Sequence, residues 1–327
     1  MLNQKTLQEI EPGEKIQLFL VVQKIELKKT RSNKDYLDLV LRDKSASVSA
    51  KMWDASGAEH LGITAGSVVK IAASVETFNE QKQLKIDKLR AATEEDNVSA
   101  EDFLPKSNRN LVEMTAELDE FIASVKNKYL NTLLTELLSG ERREKYLRVP
   151  AGKAWHHSYI HGLLEHTLEI AKICDLMASF HPVLNRDLLI SGALLHDFGK
   201  TEELKSDASF DYTDKGRLLG HIVIAAIEIE KTASRIEGFP EELLEKLIHL
   251  VLSHQGKLEQ ASPVEPKLIE AIALYHADEL SAQTNAYIQA VNNEKESPTG
   301  WTRFLQIPRT MLMIPKEEDE IKETLFD

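Results

Sequence analysis

The run Asp187–Leu195 is almost wholly apolar, and it ends in two adjacent polar residues, His196 and Asp197. Burying such a pair is costly unless both side chains are satisfied. A chain that carries it must therefore bring partners from elsewhere. The candidates follow a simple order. His166 lies in an apolar-periodic helix expected over Ile160–Phe180, and the His-Asp pair ends the helix Asp187–Leu195. His221 falls in the first turn of a helix at Leu218–Ile236, His254 at the end of Glu241–Ser253, and Asp278 inside Leu268–Val291. Apolar residues recur there at three- and four-residue spacing, so the carboxy-terminal half reads as all-α. Any one of these histidines alone reads as a satisfied core residue. Together with the two aspartates they read as metal ligands gathered from several helices. Imidazole and carboxylate suit borderline and hard divalent cations. Cys174, the single cysteine, leaves no internal disulfide and no thiolate zinc site. Gly199 is expected to break the helix, and Lys200 adds a cation beside the pair.

The first part of the chain has a different period. Lys15–Leu27, Tyr36–Arg42, Ser47–Trp53, Ser67–Val75 and Gln83–Leu89 read as five strands, with a link between the third and fourth. Five strands in that order match the OB barrel, which binds oligonucleotides on its strand 2–3 face and with the loops joining strands 1–2 and 4–5. The first of those loops carries Lys28, Lys29, Arg31 and Lys34; the second carries Phe78 and Lys82. Tyr36 and Trp53 lie in strands two and three. Basic groups for phosphates beside aromatics for bases form a single-strand platform, and the stretch resembles the OB-fold nucleic-acid binders. The alternative is that Trp53 and Phe78 fill the barrel and the lysines form a solvated loop.

The formal net charge of −13 argues at first against a polyanion. The charge is uneven, at +4 over Glu14–Ala92 and −16 from Thr93 onward. That asymmetry fits a barrel that holds nucleic acid and a separate acidic body. The expected divisions are a barrel at 1–92, an acidic linker and helical connector at 93–140, a metal domain at 141–310 and an acidic tail at 311–327. Phe304, Leu305, Ile307, Met311, Leu312 and Met313 mix apolar groups into that last region, which suggests packing on the body or on another subunit of a homo-oligomer. No apolar run approaches a membrane span, and the start lacks signal-peptide regions, so a cytoplasmic protein without membrane contact is expected.

His166, His196-Asp197 and Asp278, in that order on separate helices, resemble the HD-domain phosphohydrolase superfamily. The resemblance implies that these four bind a divalent metal, and that His221 and His254 are the added ligands of two-metal members. The barrel upstream, Trp155-His-His-Ser-Tyr-Ile-His-Gly-Leu-Leu-Glu-His166 and Leu195-His-Asp-Phe-Gly-Lys200 together resemble the YhaM family of bacterial 3′–5′ exoribonucleases. That resemblance spans roughly residues 10–310. It implies hydrolysis of single-stranded RNA, with single-stranded DNA as a second substrate, to nucleoside 5′-monophosphates. It also favours Mn²⁺, while Co²⁺, Fe²⁺, Mg²⁺ and Zn²⁺ suit the same ligands. Asp197 is then the natural bridging ligand and Lys200 a fixed charge on phosphate. His157 and His161 are candidates for phosphate binding or proton transfer, although His161 stands where the family pattern has a small residue; His156 is expected in a loop or at the surface. Two other readings compete: a phosphohydrolase of nucleotides or cyclic dinucleotides with a regulatory barrel, and a non-catalytic nucleic-acid adaptor.

Overall fold

In the computed structural model, residues 4–30, 32–53, 55, 62–79, 81–153, 155–205, 211–295, 297–306 and 309–315 are described. The alternating apolar residues of the first part form five strands: β1 (Lys15–Lys29), β2 (Asp35–Arg42), β3 (Ser47–Trp53), β4 (Val68–Phe78) and β5 (Gln81–Ala91). They close into a barrel in the order β1-β2-β3-β5-β4. One long strand makes the closure. The first half of β1 pairs with β4, from Lys15 opposite Ser74 to Val21 opposite Val68. Its second half pairs with β2, after a bulge between Val22 and Lys24. A bulge bends the strand so that it can serve both neighbours. The β3–β5 contact is parallel and the others are antiparallel. Leu37, Leu39 and Leu41 of β2 face the interior with Val69, Ile71, Ala73 and Val75 of β4. This strand order is that of an OB-fold barrel.

The strands run further than the sequence pattern suggests around the last hairpin. Phe78 was expected in the turn, but it ends β4 and pairs with Gln81. Asn79, at φ 48°, takes the left-handed position that a two-residue turn demands.

The helices are α1 (Leu111–Ser124), α2 (Lys128–Leu137), α3 (Gly140–Arg148), α4 (Gly162–Phe180), α5 (Arg186–Leu195), α6 (Lys200–Glu203), α7 (Asp214–Ala233), α8 (Glu241–Ser253) and α9 (Ile269–Asn293). The helical connector expected within 93–140 is divided at residues 125–127. Asn127 caps α2 by accepting from the amides of Tyr129 and Leu130. Met114, Leu118 and Ile122 of α1 and Leu130, Leu133, Leu134 and Leu137 of α2 belong to the same buried cluster as Leu163, Leu194 and Leu250. The helices expected as a connector thus share the core of the helical body. Between barrel and body, Arg90 donates two hydrogen bonds to Asp96, at 2.6 and 2.8 Å, and Phe103 packs on Val21 of β1. Near the carboxy terminus Trp301 pairs with Met313 and Leu305 with Thr310, while Trp301, Phe304, Met311 and Met313 remain exposed. Ile307 and most of the expected acidic tail lie outside the described residues.

No helix among the described residues is long and apolar enough to cross a membrane. Cys174 is a core residue of α4, and burial pushes its thiol up to about 12. The thiol therefore stays protonated near neutral pH. In native protein at pH 8, Cys174 is expected to stay unmodified by a thiol reagent and to react once the chain is unfolded in denaturant. Rapid labelling of the folded protein would contradict this placement.

Candidate metal centre

Helix α5 is buried on every side from Leu188 to Leu195, so its end carries His196 and Asp197 into the interior. His166 projects from the middle of α4 and is fully buried. His254 directly follows α8, and Asp278 lies within α9. His221 arrives by a less regular route. Helix α7 leaves helical geometry at Gly220 (φ 70°, ψ 153°), and a new helical segment begins at His221. Only glycine adopts that backbone readily.

Asp197 is 3% exposed and stands at the centre. Its Oδ2 lies 3.3 Å from His196 Nε2, 3.9 Å from His166 Nε2 and 2.5 Å from Lys200 Nζ. Its Oδ1 lies 3.3 Å from His221 Nε2 and 3.7 Å from His254 Nε2. His166 Nε2 is also 3.0 Å from Asp278 Oδ1. Two groups of potential ligands result, His166–His196–Asp197 and Asp197–His221–His254, each with its atoms within 4.8 Å of one another. One carboxylate faces both.

Three of the clustered groups, His166, His254 and Asp197, shift in the direction that suits a cation. Burial, helped by His157 and His196, holds the His166 imidazole well below its usual range. Burial and His196 push His254 down to about 4. Burial alone would raise the Asp197 carboxyl, but Lys200 and His196 outweigh it and hold it well below the carboxylate range. His196 moves the other way: burial lowers it, and Asp197 more than compensates. A metal requires neutral imidazoles and ionised carboxylates.

The buried polar atoms supply the test of fit. The Nε2 atoms of His166, His196 and His221 and Oδ1 of Asp197 are buried without hydrogen-bond partners. Such atoms are expensive to leave unpaired, and all four point into the cluster. A divalent cation satisfies them, so these residues fit one.

The upstream histidines divide. His157 is fully buried in a left-handed conformation (φ 43°), with its ring 5.0 Å from that of His166 and its Nε2 3.4 Å from Glu169 Oε2. Its backbone N–H donates to Asn285 Oδ1 at 2.9 Å. Gly162 permits this placement, because a Cβ there would sit 1.9 Å from the His157 carbonyl oxygen. His161 instead has its Nδ1 2.6 Å from the Leu147 carbonyl. His156, expected in a loop or at the surface, is half-buried with its ring 5.0 Å from His166. Adjacency to His157 was its only sequence signal. Lys200 is buried against Asp197.

On the barrel, Tyr36 and Trp53 are cross-strand partners with ring centroids 5.0 Å apart. Lys51, which the loop-based reading overlooks, places its ammonium 5.7–5.9 Å from the rings of Tyr36, Trp53 and Phe78. Trp53 is 46% and Phe78 56% exposed, so neither fills the barrel. The basic residues are less available. Lys28 pairs with Asp38 and Glu26, and Lys29 with Asp35. Lys82 donates to the Gln8 carbonyl, Lys34 is exposed, and Arg31 lies outside the described residues.

The HD domain family matches residues 163–283, the segment that carries all six clustered residues. Fold and site together define an HD-domain hydrolase joined to an OB-fold barrel. A 3′–5′ exoribonuclease YhaM from Listeria welshimeri is 34% identical over 293 residues, 89% of this chain and 93% of that one. The protein of the same name from Bacillus subtilis is 33% identical, covering 87% and 90%. The chain belongs to the YhaM family. Among solved structures, a domain of replication protein A from Methanococcus maripaludis is 13% identical, covers 27% of this chain and 93% of its own, and has a TM-score of 0.24.

Proposed function

We propose that this protein is a divalent-metal-dependent 3′–5′ exoribonuclease that releases nucleoside 5′-monophosphates from single-stranded RNA in the cytoplasm, with Mn²⁺ as its preferred ion. The observation that carries the reading is the two-faced Asp197, with a histidine pair on each carboxylate oxygen. His166, His196, Asp197 and Asp278 would hold one cation, and Asp197, His221 and His254 the other. When bound, such cations activate water and neutralise the phosphoryl oxygens.

The chain's own groups do the rest. Lys200 keeps Asp197 ionised and adds a positive charge beside the phosphate. Among the upstream histidines we assign His156, half-buried beside His166, the contact with the leaving 3′-oxygen. His157 has no exposed surface and supports the wall of the site; His161, at the start of α4, holds the Leu147 carbonyl of α3. Tyr36, Trp53 and Phe78 around Lys51 would stack bases while the ammonium meets phosphate. Helix α9 carries Asp278 and ends with Asn292 and Asn293 in a groove shared with Ser47, Ser49 and Lys82 of the barrel. At 1.5 Å per residue, Asp278 and Asn292 are about 21 Å apart along the helix. That is the distance a strand held beside this groove would span to reach Asp278.

The test uses 5′-labelled RNA with Mn²⁺, for which wild type gives a descending ladder. Base stacking on an aromatic is worth about 1–3 kcal/mol, so Trp53→Ala is expected to weaken binding of long strands roughly 5- to 150-fold and to leave cleavage of a dinucleotide within about twofold. Activity on free nucleotides or cyclic dinucleotides without a ladder would sink the exonuclease reading. Equal losses on long and short substrates would sink the division of labour.

A further inference from the structure

The four clustered histidines are held in two different ways. To offer Nε2 to a cation, an imidazole must carry its proton on Nδ1 and give it to an acceptor. His196 Nδ1 lies 2.8 Å from the Ala193 carbonyl, and His254 Nδ1 lies 2.6 Å from the Val251 carbonyl. Both acceptors are backbone atoms three residues earlier, so local chain geometry orients these rings. His166 and His221 depend on side chains. His221 Nδ1 is 3.1 Å from Glu203 Oε1, and the same oxygen accepts the His221 backbone N–H at 2.9 Å. His166 Nδ1 is 2.9 Å from Ser281 Oγ, and that hydroxyl donates to Glu169 Oε2 at 2.6 Å. An ionised carboxylate only accepts, so the direction of the chain is fixed: His166 donates to Ser281, and Ser281 to Glu169.

Each face of Asp197 therefore has one backbone-held and one carboxylate-held histidine. We infer that Glu169, acting through Ser281, and Glu203, acting directly, are positioning residues that each govern one of two cation sites on either face of Asp197. The inference rests on the proposed metal centre and assigns its supports. It separates the two sites: Glu203 makes no described contact with the His166 side, and Glu169 none with the His221 side. Glu169 also lies 3.4 Å from His157 Nε2, so it ties the upstream histidine to the same face.

Mn²⁺ binding to the full chain, followed by calorimetry and by paramagnetic resonance without RNA, tests this. Wild type is expected to bind two equivalents. Loss of a partner behind a metal ligand typically costs roughly 10–100-fold in affinity; Glu203→Gln is expected to impose that loss on one equivalent, and Glu169→Gln or Ser281→Ala on the other. Ser281→Thr, which keeps the hydroxyl, restores binding. His254→Ala supplies the decisive background. There, Glu169→Gln weakens the remaining equivalent and Glu203→Gln leaves it unchanged. A purely structural role would lower the melting temperature of the metal-free variants without that selectivity. If wild type binds two cations and the two glutamine variants behave alike, the assignment of one carboxylate to each site is wrong. If wild type binds none, the metal centre fails and the assignment falls with it.

Discussion

Asp197→Ala is expected to remove both cation equivalents and to slow phosphodiester cleavage by about 10³-fold or more. The size follows from the role. Cation stabilisation of the phosphoryl group is worth several kcal/mol, and about 4 kcal/mol corresponds to a thousandfold in rate. No other clustered side chain faces both histidine pairs, so no other single change empties both sites. The substitution also leaves the buried Lys200 ammonium without its partner at 2.5 Å. Breaking a buried pair from one side costs about 3–5 kcal/mol, so the variant must be checked for folding by circular dichroism. Asp197→Asn keeps the volume and provides the gentler comparison. The measurements are metal content after dialysis and the rate of ladder formation on labelled RNA. A folded variant that retains two equivalents, or cleaves within about tenfold of wild type, would overturn the bridging role.

Gly199→Ala carries the second large effect, and it acts through packing alone. Gly199 was expected to break a helix; its φ is −61°, which alanine adopts freely, so its role is not conformational. The constraint is space. A Cβ at Gly199 would lie 2.0 Å from the His221 carbonyl oxygen, 2.7 Å from its carbonyl carbon and 2.9 Å from the Ala225 amide nitrogen. All three are backbone atoms of α7, which cannot rotate away as a side-chain tip can. The helix has to move, and His221 moves with it. Overpacking of this kind costs about 3 kcal/mol or slightly more, which lowers the melting temperature by roughly 6–12 °C in a body of this size. Weaker binding of the cation on the His221 face is expected alongside. A melting temperature unchanged from wild type would show that α6 and α7 are not in such close contact.

The parts of the fold that were legible are those where one period holds without interruption. Ser47–Trp53 and Glu241–Ser253 have the ends that their residue patterns suggest. The His166, His196-Asp197, His221, His254 and Asp278 series was legible because each member interrupts or ends an apolar run. What stayed hidden depends on contacts distant in sequence. Ser281 is 115 residues from His166, and Glu203 is 18 from His221. On a helix such residues look like an ordinary solvated face. Gly220 was visible as a glycine, but the apolar rhythm around it concealed the break that aims His221. The barrel residues proposed to contact nucleic acid show the same limit. Lys28 and Lys29 read as loop charge until strand pairing sets them against Asp38 and Asp35. Lys51 gained its meaning only when pairing brought Tyr36 and Trp53 side by side.

The spread of the six clustered residues has a consequence for the lifetime of the molecule. They come from α4, the end of α5, the broken α7, the end of α8 and α9, so a cation shared among them would tie together segments from His166 to Asp278. It would act as a reversible cross-link. A ligand that binds only the folded chain adds about 2.7 kcal/mol when present at a hundred times its dissociation constant. Local opening of the helical body then becomes rarer as the cation supply rises. The cell's metal status would in this way set how long each copy survives proteolysis, alongside how fast it works.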